Sequence, residues 1–339
     1  MINKIVFILG LVCYYGEAVA KCTYNGTSEI VTISLSPKIA TDPTIPVGSI
    51  LYTKKITTGP YKTFECKKIM SDQYIIESST PVVAGVTGIQ GKPVYETGID
   101  GLGFQVSDIL TSKNGSLTPA VAGSVLVPKE KSDNDYKFIT LWLVKTKAVI
   151  DTAGASSNPF IKFSAGNLNT NPRPSDRLLL TANVKFQSIN FQDSSCDISV
   201  SGPKQITLNK IEKNVLLSVS RGAVTPSQKT ITMNIICPMN SIGNTLSYWF
   251  NPISGSSSSG NGIIENMLTG ATAATKVGII FKKDNNPIVF YDTDKYRIDS
   301  LKNSQSINFT ADYYKLSDNA SEITSGNVKA MMEVIIQEE

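Results

Sequence analysis

The sequence predicts an all-β protein organised as two β-sandwich domains, and three observations carry that expectation. Apolar residues recur at every second position in short runs: Ile231, Met233, Ile235 and Cys237 in "KTITMNIIC", Ile307, Phe309, Ala311 and Tyr313 in "QSINFTADYY", and Val277, Ile279 and Phe281 in "KVGIIF". A period of two marks a strand with one face on a core. Clusters of Gly, Pro, Asn, Asp and Ser separate the runs, and no amphipathic helix of convincing length interrupts them. About 320 residues beyond the leader fit two domains on the usual size range.

The leader is residues 1–20. Lys4 supplies a positive start, Ile5 to Cys13 an apolar stretch, and Ala18-Val19-Ala20 a small-x-small cleavage site. That stretch is about half the ~20 residues of a membrane helix, so it reads as a signal peptide and the mature chain as an exported one beginning at Lys21. Cys13 leaves with the leader. Cys22, Cys66, Cys196 and Cys237 remain. An even number in an exported chain reads as disulfides, and four cysteines permit three pairings. The wide gap between Cys66 and Cys196 favours two local bridges, 22–66 and 196–237, one per domain. No CxxC pair suggests zinc. The chain has no histidine, which excludes Ser-His-Asp and Cys-His catalysis and imidazole metal sites. A formal charge of +4, with short clusters such as Lys282-Lys283, gives no nucleic-acid footprint.

The first domain is expected over residues 21–190. "YETGIDGLGFQV" places Gly98, Gly101 and Gly103 before Phe104 and Val106 resume alternation. G-x-x-G-x-G leading into a strand is not a dinucleotide fingerprint and reads as a tight turn or bulge. "YKFITLWLV" is apolar on both faces, the pattern of a central strand buried on two sides, and Trp142 within it reads as core. A linker at residues 191–195 follows "LLLTANVKFQSINF", within a polar stretch that precedes Cys196. "NPRPSD", residues 171–176, competes as a boundary because its prolines stiffen it. The second domain is residues 196–339. "SGSSSSGNG", residues 254–262, reads as a flexible loop inside it. Its final run alternates from Val328, with Val328, Ala330, Met332, Val334 and Ile336 on one side and Lys329, Met331, Glu333, Ile335 and Gln337 on the other. That strand comes last, with no later segment to cover its apolar face.

Several segments of the second domain resemble a family. "SSCDISVSGPKQITLNKI" is similar to the opening of a pilin domain from chaperone–usher fimbriae, with Ile206 and Leu208 alternating after the cysteine. "TITMNIIC" resembles its second cysteine-bearing strand, and "INFTADYYKLSDNASEITSGNVKAMMEVIIQ" the last two strands of the pilin domain in type 1 fimbrial tip adhesins. "YETGIDGLGFQV" resembles a threonine-then-Gly-hydrophobic-Gly segment of the adhesin domains. The resemblance implies an N-terminal lectin-like adhesin domain and a C-terminal immunoglobulin-like pilin domain lacking its seventh strand. The row from Val328 to Ile336 would then line a groove filled in trans, a mode of strand addition well described for pilins. The implied partners are the periplasmic chaperone, the outer-membrane usher, the donor strand of the next fimbrial subunit, and a host receptor such as a glycan. One departure stands out: Ile336 and Gln337 occupy the place of the family's terminal aromatic and polar residue, and Glu338-Glu339 follow, available to meet basic chaperone groups.

The expected function is therefore a non-enzymatic fimbrial tip adhesin at the cell surface, without cofactor or metal. A structural minor pilin or adaptor is the first alternative, disfavoured by the long disulfide-bearing segment before Cys196. An exported β-sandwich glycan hydrolase is the second, disfavoured because "YDTDKYRID" (Tyr291 to Asp299) offers only carboxylates spaced in sequence and reads as a solvated loop. The receptor-binding candidates are Asp133, Asn134, Asp135 and Tyr136 in "SDNDYK", which mixes an aromatic face with planar polar groups. The same run lacks the glycine and distal glutamate of a calcium loop. Tyr52, Tyr61 and Tyr74 have no assigned place.

Overall fold

A computed structural model describes residues 23–338, apart from 41–42, 58–61, 66–71, 113–116, 127–137, 152–157, 168–177, 188, 193–195, 202–204, 254–256 and 259–260. The leader, Cys22, Cys66, Tyr61, "NPRPSD" and the "SDNDYK" candidates lie outside the described residues.

The first module is a sandwich of two five-stranded sheets. Its strands are β1 (Glu29–Leu35), β2 (Ile50–Thr57), β3 (Asp72–Ser78), β4 (Val82–Thr87), β5 (Pro93–Glu96), β6 (Leu102–Val106), β7 (Gly123–Leu126), β8 (Phe138–Lys145), β9 (Phe160–Asn167) and β10 (Leu178–Phe186). One sheet runs β7-β3-β9-β10-β1 and the other β2-β8-β6-β5-β4. β1 shows why alternation fixes a face: Val31, Ile33 and Leu35 are buried, and Thr32 and Ser34 are exposed. It joins β10 in parallel over Glu29–Leu35. Leu51, Phe104, Leu141, Leu143, Phe163 and Leu180 pack in one core between the sheets. The Gly98–Gly101 turn feeds β6 with both glycines at positive φ. A Cβ on Gly101 would collide with Val149 O, so only glycine lets that backbone approach.

The second module contains β11 (Asp197–Val200), β12 (Lys229–Ile236), β13 (Leu246–Pro252), β14 (Ile263–Glu265), β15 (Val277–Lys283), β16 (Tyr296–Ile298), β17 (Ser304–Lys315) and β18 (Met332–Glu338). One sheet carries β11-β12-β17-β15-β14, and the facing sheet is β16-β13-β18. Ile231, Met233, Ile235, Ile307, Phe309 and Phe281 meet Leu246, Tyr248, Phe250 and Ile336 in its core. The Phe250 and Phe309 rings cross edge to face at 5.7 Å, a favourable aromatic geometry. Cys196 and Cys237 form a disulfide that ties the start of β11 to the end of β12.

Among the described residues no strand ladder joins the first module to the second; Asn190–Gln192 still pairs with Lys38–Ala40 of the first. The modules meet through side chains instead. β8 is buried on two sides, as its composition predicts. Ile139, Leu141 and Leu143 face the first core, whereas Trp142 and Val144 belong with Ile50 and Val94 to the cluster that contains the second module's core. β13 answers from the other side: Trp249, wholly buried, donates from Nε1 to Ile50 O at 2.7 Å. Thr53 N donates to Thr293 Oγ1 at 3.0 Å, and Thr53 Oγ1 donates to Tyr291 O. The segment "YDTDKYRID" is thus not simply a solvated loop, because Tyr291 and Thr293 are buried against the first module; Asp294 and Asp299 remain exposed.

Candidate functional site

Two features of β18 have functional geometry, one on each face. β18 is the edge of its sheet, pairing only with β13 among the described strands. The residues expected in a groove do share a side. Val328 and Ala330 precede the strand, and Met332, Val334 and Ile336 alternate along it or at its start. All pack on the second core. The first four stay only half-buried, whereas Ile336 is buried. Ile206 and Leu208 lie on that core in the same half-covered state, in a segment that belongs to no described strand. A row of half-exposed apolar side chains beside a free edge presents both apolar surface and backbone donors and acceptors to an incoming strand.

Glu338 departs from the expectation of the sequence. It is buried at 5% exposure and accepts hydrogen bonds from Ser241 Oγ at 3.0 Å and Asn244 Nδ2 at 2.6 Å. Its carboxylate is therefore committed within the module and fixes the register of β18, because a slip by one residue would reverse every side chain.

The opposite face of β18 turns to the first module. Ile335, paired with Trp249, is buried. Glu333 stands opposite Asn251 in the ladder. Its Oε2 accepts from Ser49 Oγ at 2.7 Å, across the junction, and from Asn251 Nδ2 at 3.3 Å. Burial pushes the Glu333 carboxyl above its ordinary value; those hydrogen bonds and the positive charge of Lys145 pull the other way without cancelling it. These groups floor a cleft of about 470 Å³ between the modules, walled by Pro46–Ser49 and Thr87–Gly91 on one side and Asn251–Ile253 and Tyr291 on the other. The Thr87–Gly91 wall is held by Gln105, whose Oε1 accepts from Ile89 N and whose Nε2 donates to Lys92 O and Pro93 O. A Cβ on Gly48 would meet Thr87 O at 2.9 Å, so the two walls on the first module touch through glycine.

Of the remaining sequence candidates, Trp142 is interior to the junction, as core packing implies. Tyr74 is buried between Phe64 and Phe163, its hydroxyl donating to Asp108 Oδ1 at 2.8 Å. Tyr52 is half-buried, and burial followed by the nearby Asp294 charge raises its hydroxyl pKa. Sequence reasoning did not single out Ser49, Asn251, Trp249 or Glu333. The available signals were a lone acid within "MMEVII" and the doubly apolar run "LSYWF".

Residues 183–337 match the family model described as fimbrial protein. The matched stretch spans the second module, which is therefore similar to fimbrial proteins. The chain is 21% identical over 313 residues to the fimbria adhesin protein of Klebsiella pneumoniae, covering 90% of this chain and 89% of that one. Among solved structures, the CupB6 tip adhesin of Pseudomonas aeruginosa aligns over 94% of both chains at 14% identity with a TM-score of 0.34. The receptor binding domain of the plasmid-borne adhesin MrkD1P of Klebsiella pneumoniae aligns over 52% of this chain and 97% of its own at 18% identity, TM-score 0.30. The chain is thus similar to a fimbria adhesin over most of its length and to fimbrial proteins over its second module.

Proposed function

We propose that this is a two-domain tip adhesin, non-enzymatic, whose first module, residues 21–190, binds a host glycan. Residues 191–195 are the linker, and residues 196–339 form a pilin domain completed in trans. The periplasmic chaperone supplies the missing strand first; at the usher, the extension of the next subunit replaces it. The observation that carries the reading is the free edge of β18 with its half-buried row Val328, Ala330, Met332 and Val334. A donor strand covering these side chains gains about 1.5–3 kcal/mol for each one fully buried, before ordering costs. The division of the chain is supported by the absence of a described ladder between the modules. The pairing of Thr23 with Glu65, next to two cysteines, supports a 22–66 bridge. The adhesive candidates Asp133, Asn134, Asp135 and Tyr136 remain part of the proposal.

Co-expression of the full chain with its chaperone tests the mechanism. Val334→Asp places a charge in the row, and the expected result is loss of co-purified complex while Val334→Ile retains it. Capture of Val334→Asp at the wild-type level would sink donor-strand completion. A glycan array probed with the full chain tests the receptor class, and no signal across a broad panel would remove the glycan.

A further inference from the structure

The cleft between the modules has a distinct chemical character. Glu333 is the one charged side chain among the described residues lining it. The hydrogen bonds from Ser49 and Asn251 both converge on Oε2, and neither uses Oε1. In the same corner, Asn251 Oδ1 is buried without a hydrogen-bond partner, while Asn251 itself is only 4% exposed. The corner formed by Glu333 and Asn251 is thus rich in acceptor oxygens. Pro46 and Pro252 line the opening, together with Val47 and Ile253, exposed at 49% and 56%. Apolar lips over an acceptor floor suit a ligand with an aliphatic stem and a donor-only head. An ammonium carries three donors and no acceptor, and a guanidinium carries five.

We propose that this cleft binds a primary ammonium or guanidinium group on a short aliphatic stem, with Glu333 Oε1 as counter-charge and Val47 and Ile253 against the stem. Charge-assisted hydrogen bonds to a carboxylate are the stronger kind, and domain junctions are a preferred place for small-molecule sites. Lys145, wholly buried, is the charged group that acts on Glu333 from β8; Tyr291 is the other titratable side chain on the wall. The ammonium has two sources, a lysine side chain of a peptide or a free diamine. The site stands independently of the donor-strand reading, since it lies on the other face of β18.

The test is titration of the full chain, followed by calorimetry, with N-acetyl-lysine methylamide, its uncharged isostere N-acetyl-norleucine methylamide, and 1,4-diaminobutane. At neutral pH the ammonium probes are expected to bind at least about tenfold more tightly than the isostere, and Glu333→Gln to abolish that preference. The preference is also expected to fade on acidification through the Glu333 titration, which a merely structural carboxylate would not produce. Ile253→Lys, on the exposed lip, is expected to supply a tethered ammonium and compete with the probes. Tighter binding of the lysine amide marks a peptide source, and tighter binding of the diamine a free amine. Equal binding of lysine and norleucine amides, or wild-type affinity in Glu333→Gln with native fluorescence intact, overturns the site.

Discussion

Trp249→Ala is the most direct perturbation of the way the two modules are joined. The indole is 0% exposed although it lies on the face of β13 that points away from the second module's own core. Its burial therefore exists only because the first module covers it. Truncating a buried tryptophan to alanine costs about 3–5 kcal/mol. Losing the 2.7 Å bond from Nε1 also strands the carbonyl of Ile50, a residue only 1% exposed, a penalty of about 1–3 kcal/mol where water cannot reach it. The two costs overlap, and separation of the modules can relieve both, so the free energy of docking sets the ceiling. The expected loss in urea unfolding of the full chain is about 3–5 kcal/mol. The chain has two tryptophans, and both are buried at this junction. Trp142→Phe leaves Trp249 as the sole indole, expected to emit at short wavelength and to resist iodide quenching until the modules part. A destabilisation below about 1 kcal/mol, together with native emission typical of indole in water, would refute a docked junction.

Three further outcomes follow from the same structure. Glu338→Ala removes the acceptor shared by Ser241 and Asn244; urea midpoints are expected to show a loss of about 2–3 kcal/mol, partly restored in Glu338→Gln. Replacing Cys196 and Cys237, separated by 41 residues, with serine is expected to cost about 4 kcal/mol on the chain-entropy account, measured against the oxidised parent. Glu333 titrates higher in the folded chain than in the unfolded one. The folded state therefore holds more protons between the two values, and stability falls as pH rises through that window. Glu333→Gln is expected to melt above the wild type at neutral pH, with the gap closing below the ordinary carboxylate range; an unchanged gap at both pH values contradicts this.

Alternation revealed the strands that turn one side to a core. The run from Ile231 to Cys237 and the run from Ile307 to Ala311 face inward as the sequence pattern requires. β4 escaped because an edge strand with mostly exposed residues carries no such contrast. The helix Lys213–Ser218 is too short for a helical period to register. The junction was half legible. Apolar residues on both sides of "YKFITLWLV" announced two buried faces, but the partner of the second face lies about a hundred residues away and periodicity does not identify partners. For the same reason Ile335 and Glu333 looked like the outward side of the last strand. Their burial is a property of the neighbouring module, and Ser49, which completes the Glu333 contact, has no local signature at all. Glu338 gave no sign of turning inward, because its hydrogen-bond donors come from a separate turn at Ser241 and Asn244.

The parallel ladder between β1 and β10 has a mechanical meaning. Tension carried along a fimbrium would enter the first module through the chain that follows β10, and would pull that strand lengthwise. Its hydrogen bonds to β1 and β9 would then share the load side by side in shear, while the three-residue pairing of Asn190–Gln192 with Lys38–Ala40 would be stretched first. Resistance to such a pull is governed by the rate of unfolding rather than by equilibrium stability. Within the first module, that short pairing is the shortest ladder along this path.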